Sequence, residues 1–83
     1  MAKKTIYSAE YRSLVERLRE HREAQRISQT ALAQMLGWPQ QRLSAVEAGS
    51  RRLDVMEYFQ LTSALGLTRE RAMLLVPRDT KKR

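Results

Sequence analysis

The chain has no cysteine, which excludes a disulfide framework, a thiolate zinc site and a cysteine nucleophile, and is compatible with a reducing compartment. Its single histidine, His21, sits in a charged stretch with no evident partner and reads as surface. No zinc-ligand set, phosphate-cradling glycine loop or cofactor motif accompanies it. Glycine occurs only at 37, 49 and 66, and no segment alternates apolar and polar residues at period two, so nothing reads as a strand. No apolar run approaches ~18 residues, and residues 1–6 lack the apolar core of a signal peptide. These absences point to an all-α, cytoplasmic protein that is not an enzyme and uses no metal or cofactor. With 83 residues, 42% of them hydrophobic, the chain is expected to make one small core without a separate sensor domain.

One charge sign is in short supply. Sixteen Lys and Arg stand against nine Asp and Glu, a formal net charge of +7, and the location of the excess is informative. Lys3 and Lys4 lie at one end, and Arg78, Lys81, Lys82 and Arg83 surround Asp79 at the other. Between residues 26 and 52, Arg26, Arg42, Arg51 and Arg52 face Glu47 alone, whereas residues 53–76 are slightly acidic. A basic excess clustered on one element favours a polyanion, nucleic acid above all.

Hydrophobic spacing predicts five helices. The first starts near Ser8 and runs to about Gln25, with Tyr11, Leu14, Val15 and Leu18 as its buried stripe. Ser28 caps a second helix whose Leu32, Ala33 and Leu36 face inward and which ends on Gly37. A small residue at 33 allows a close crossing with the next helix, and Trp38 fills the space between the two. The third helix begins at Pro39 or Gln40 and buries Leu43 and Val46. Asp54 and Glu57 form a capping box for a fourth helix with Val55, Tyr58, Leu61, Thr62 and Leu65 inward, ending at Gly66. Thr68 caps a fifth that carries Ala72, Met73, Leu74, Leu75 and Val76 and stops at Pro77. The expected organisation is a short arm at 1–7, a helical domain at 8–76 with its two-helix motif at about 28–47, and a basic tail at 77–83.

The third helix carries the functional signal. Burial of Leu43 and Val46 leaves Gln40, Gln41, Ser44 and Ala45 on other faces, short enough at 44 and 45 for the helix to lie against a surface. A glutamine amide pairs in a bidentate fashion with adenine N6 and N7, worth ~1–3 kcal/mol of discrimination, and Ala45 suits a thymine methyl. Arg42 reaches either a base or a phosphate. Arg51 and Arg52, in the loop beyond, are placed for phosphate contact whose strength depends on salt.

From residue 18 to 67 the chain resembles the Xre/Cro-type helix-turn-helix domain of phage and bacterial repressors. The resemblance rests on Leu18-Arg19, Ser28-Gln29, Leu32-Ala33, Leu36-Gly37, Glu47-Ala48-Gly49 and Ala64-Leu65-Gly66, in the family's order and spacing. It implies a compact five-helix fold, like that of lambda repressor, in which the third helix enters the major groove. It further implies that Gln29 contacts a phosphate and braces the first residue of that helix, that Gln40, Gln41, Ser44 and Ala45 face the bases, and that Arg22 and Glu47 form an internal salt bridge. Three positions depart from the pattern. Arg26 stands where glycine or asparagine often takes a left-handed conformation, Pro39 replaces a capping serine or threonine, and Ala48 lacks a phosphate-binding asparagine. Ser50, Arg51 and Arg52 are therefore the expected donors to phosphate.

The expected function is sequence-specific binding of double-stranded DNA by a transcriptional regulator, in particular a repressor bound as a homodimer to a palindromic operator. Surplus apolar residues on the fifth helix suit a two-fold interface. The alternative is an antitoxin or adaptor whose toxin or other protein partner docks on that same helix. Neither reading involves a membrane.

Overall fold

The computed structural model describes residues 8–76. The arm expected at 1–7 and the tail expected at 77–83, with Lys3, Lys4 and Pro77, lie outside the described residues. Five helices follow in order: α1 Ala9–Ala24, α2 Gln29–Leu36, α3 Gln40–Glu47, α4 Val55–Ala64 and α5 Arg69–Leu75. The described residues contain no strand, and none of their helices is long and apolar enough to cross a membrane.

Helix starts are dictated locally. Ser8, Ser28 and Thr68 each accept, through the side-chain oxygen, from the N–H three residues on, at 3.1, 3.0 and 3.1 Å. Such caps contribute roughly 1 kcal/mol each. At α4 the Glu57 N–H donates to Asp54 Oδ1 at 2.7 Å, and Glu57 Oε1 accepts from the Asp54 N–H at 3.0 Å. Only α3 begins without a side-chain cap. Pro39, extended at φ −61° and ψ 144°, precedes Gln40 as the first helical residue.

Helices α1 to α4 all end in the same way. The N–H groups of Ile27, Trp38, Ser50 and Leu67 each reach back to the carbonyl five residues earlier, on Arg22, Ala33, Ala45 and Thr62, at 2.9–3.2 Å. The residue before each donor is left-handed: Arg26 at φ 60°, then Gly37, Gly49 and Gly66 at 73°, 81° and 84°. This is the Schellman ending, and in three of four cases glycine supplies it without a Cβ penalty. Arg26 bears that penalty, of order 1–2 kcal/mol. Arg26→Gly is expected to raise stability by about 1 kcal/mol, a gain of several degrees in melting temperature for a domain of this size; an unchanged or lower melting temperature would show that the turn is unstrained.

The core draws on every helix. Leu14 and Leu18 of α1, Leu32 and Ala33 of α2, Leu43 and Val46 of α3, Tyr58, Leu61 and Leu65 of α4 and its C-cap, and Ala72 of α5 pack with Trp38 into one cluster. Burying each Leu or Val contributes roughly 1.5–3 kcal/mol. Two polar ties fix the far end. The Tyr58 hydroxyl, its pKa raised by burial, donates to the Ala72 carbonyl and joins α4 to α5. Gln25 Nε2 donates to the Leu65 carbonyl at 2.8 Å and joins the ends of α1 and α4.

One expectation for the apolar residues is corrected. Val55 does not face inward but is 69% exposed, because it is the first residue of α4 and projects past the packed part of the helix. Of the apolar run on α5 only Ala72 is buried; Leu75 packs at the core's edge, and Met73, Leu74 and Val76 are exposed.

Candidate nucleic-acid interface

Helices α2 and α3 pack on each other, and α3 also packs on α1. With Leu43 fully buried and Val46 nearly so, α3 is anchored by one face, and Gln40, Gln41 and Ser44 are exposed on another with Ala45 half-buried. These four, with Ala48 and Ser50, line an open concavity of about 520 Å³. Ser50 Oγ donates to the Ala45 carbonyl at 3.2 Å, which holds the loop against the end of α3.

The angle of α3 is held by a polar network on its inner side. Arg22 forms a two-pronged ion pair with Glu47, Nε to Oε2 at 2.7 Å and Nη2 to Oε1 at 3.0 Å, and Arg22 Nη1 donates to the Ile27 carbonyl at 2.7 Å. Both side chains are almost inaccessible, at 11% and 6%. The hydrogen bond to Glu47 raises the Arg22 pKa above its ordinary value, against the lowering effect of burial. Glu47 Oε1 also accepts from Gln29 Nε2 at 2.9 Å. Gln29 Oε1 in turn accepts from Gln40 Nε2 at 3.4 Å, and Gln40 Oε1 accepts from Thr30 Oγ1 at 3.2 Å. One chain of contacts therefore connects α1, the C-terminal end of α3, the start of α2 and the N-terminal end of α3.

Arg42 is placed differently from the expectation of a donor to base or phosphate. Its guanidinium lies over the Trp38 ring, 4.0 Å from the centroid, and pairs with Glu57 of α4. Trp38 accounts for this, since the plug between α2 and α3 offers a ring face on which a guanidinium stacks. Glu57 also accepts from Arg51 Nη2 at 3.1 Å. The Asp54 N–H, then the Arg42 and Arg51 charges, hold the Glu57 carboxyl below the usual carboxylate range against the opposing effect of desolvation.

Arg51 and Arg52 are exposed and borrow their order from α1. The Tyr11 hydroxyl donates to the Arg51 carbonyl at 2.8 Å and accepts from the Leu53 N–H at 3.0 Å, while the Arg52 guanidinium lies 5.5 Å from the Tyr11 ring centroid. Sequence reasoning assigned Tyr11 to the apolar stripe and Glu57 to the helix cap alone. The partners of Tyr11 lie 40 and 42 residues away, and no local signal announces them.

On the other side of Tyr11 is an apolar groove of about 340 Å³, lined by Leu53, Val55, Phe59, Met73 and Val76 among others. It adjoins the exposed apolar residues of α5 and the start of α4.

Comparison with known proteins adds two findings. A family model described as "Helix-turn-helix" matches residues 18–71, a span that contains α2, α3 and the arginine loop. The crystal structure of the restriction-modification controller protein C.AhdI from Aeromonas hydrophila superposes with a TM-score of 0.71 at 29% identity, over 78% of this chain and 98% of that one. None of the curated proteins compared with the chain matches it.

Proposed function

From the premise that the chain belongs to the helix-turn-helix family, and so is a DNA-binding transcriptional regulator, we propose that it is a cytoplasmic repressor that binds a palindromic operator as a homodimer. The observation that carries this reading is the exposed wall of α3, held at a fixed angle by the Arg22–Glu47–Gln29–Gln40 chain. Preorganised donors and acceptors on a rigid element are what discrimination between bases demands.

Gln40 and Gln41 pair with adenines, Ser44 and Ala45 touch base edges, and Gln29, Arg51 and Arg52 contact phosphates, joined by Ser50 when its hydroxyl turns from the Ala45 carbonyl. Glu47 stays paired with Arg22 and presents no free charge to the backbone. Arg42 acts from behind, fixing α3 to α4. The similarity to C.AhdI, a restriction-modification controller protein, supports a regulatory role.

A second copy of the chain covers the apolar surface formed by Val55, Met56, Met73, Leu74 and Val76, all at least 43% exposed. Val55, Met73 and Val76 line one apolar groove, and an exposed apolar surface on so small a domain favours self-association. A two-fold pair places two α3 helices about 34 Å apart, one turn of DNA. Selection from random-sequence duplexes at physiological salt, with particle mass measured on the same sample, tests both parts. The expected product is an inverted repeat with half-sites about 10 base pairs apart, bound by a dimer. Enrichment of no motif would overturn the repressor reading in favour of an adaptor, and a single unrepeated half-site bound by a monomer would overturn the dimer.

A further inference from the structure

We propose that Tyr11 is a positioning residue for DNA binding: its hydroxyl and ring together set the loop that presents Arg51 and Arg52 to the phosphate backbone. The inference rests on the reading of those two arginines as phosphate contacts.

The geometry is specific to a phenol. One oxygen donates to the Arg51 carbonyl and accepts from the Leu53 N–H, at 2.8 and 3.0 Å, using both capacities of a hydroxyl. The two bonds straddle Arg52, whose guanidinium is drawn over the same ring within cation–π range. Three consecutive residues, 51 to 53, are thus fixed by one side chain of the first turns of α1. The loop has further supports at its ends: Ser50 Oγ on the Ala45 carbonyl, and Arg51 Nη2 on Glu57. With the backbone anchored by Tyr11, the Arg51 side chain remains 44% exposed and can exchange a carboxylate for a phosphate without the loop reordering. The ordering cost then falls on folding rather than on binding.

Tyr11→Phe removes the hydroxyl and keeps the ring. Binding of the full chain to random-sequence duplex DNA, measured from low to physiological salt, is compared among wild type, Tyr11→Phe, the Arg51→Ala/Arg52→Ala double variant and the triple variant. Tyr11→Phe is expected to weaken binding to every duplex about threefold to tenfold, to make the salt dependence shallower by up to the ~0.9 per phosphate contact, and to leave base preference unchanged. The Leu53 amide, deprived of its acceptor, should exchange with solvent at least tenfold faster. In the triple variant the Tyr11 effect should vanish, because the side chains it positions are gone.

Wild-type affinity for Tyr11→Phe alongside a weakened double variant would overturn the positioning role and leave the phosphate contacts standing. An undiminished Tyr11 effect in the triple variant would also overturn it. Wild-type affinity for the double variant would instead sink the phosphate reading on which the inference rests.

Discussion

Glu47→Ala is expected to cost about 3–5 kcal/mol of folding stability, the range for removing one partner of a buried ion pair. Arg22 would keep its charge in a nearly dry site with the Ile27 carbonyl as its remaining hydrogen-bond acceptor and the half-exposed Glu23 carboxylate 3.8 Å away, and Gln29 Nε2 would lose its partner at the same time. A domain of this size has roughly 5–15 kcal/mol in total, so the variant should melt at least ~12 °C lower and populate unfolded chain near physiological temperature. Urea or thermal denaturation gives the measurement. The double variant Arg22→Met/Glu47→Met separates two roles. Replacing a buried pair by apolar residues is often neutral or stabilising, so stability should largely return. Base discrimination should not, because nothing then connects α1 through Gln29 to Gln40. A loss below about 1 kcal/mol for Glu47→Ala would contradict the view that the pair is effectively buried.

Replacing Gln40 and Gln41 together by alanine is expected to remove most of the preference for the operator. At ~1–3 kcal/mol for each amide–base pair, the ratio of specific to random-sequence affinity should fall by about 30-fold to 10⁴-fold. Binding to random DNA should persist at low salt with an unchanged salt slope, since no cation is removed. The single variants should differ. Gln41 is exposed and makes no hydrogen bond with the described residues, so Gln41→Ala should alter the preferred base at one position and nothing else. Gln40 is already held by Gln29 and Thr30, so Gln40→Ala should also loosen Gln29. Competition binding with operator and scrambled duplexes decides the matter; an unchanged ratio in the double variant would show that α3 is not the reading helix.

Much of the fold was legible because its signals are local. Ser8, Ser28, Asp54 and Thr68 cap by bonds that span three residues, and Gly37 and Gly66 end helices by their own backbone angles. The oddity of Arg26 was legible on the same ground. What escaped depends on partners far along the chain. Arg42 looked like a free donor because neither its stacking on Trp38 nor its pairing with Glu57 follows from helical spacing. Tyr11 looked merely apolar because a ring at a buried spacing conceals where its hydroxyl ends. Val55 obeyed the periodicity of α4, yet periodicity says nothing about where the neighbouring helices stop.

The division of labour on α3 bears on how such a protein changes over generations. Leu43 and Val46 carry its packing, and Gln41 and Ser44 carry none. Substitutions at exposed positions of that kind typically shift stability by no more than about 0.5 kcal/mol. Side chains on the outer wall are thus free to drift while the fold is conserved by the inner one, and a lineage can acquire a new target without passing through an unfolded ancestor.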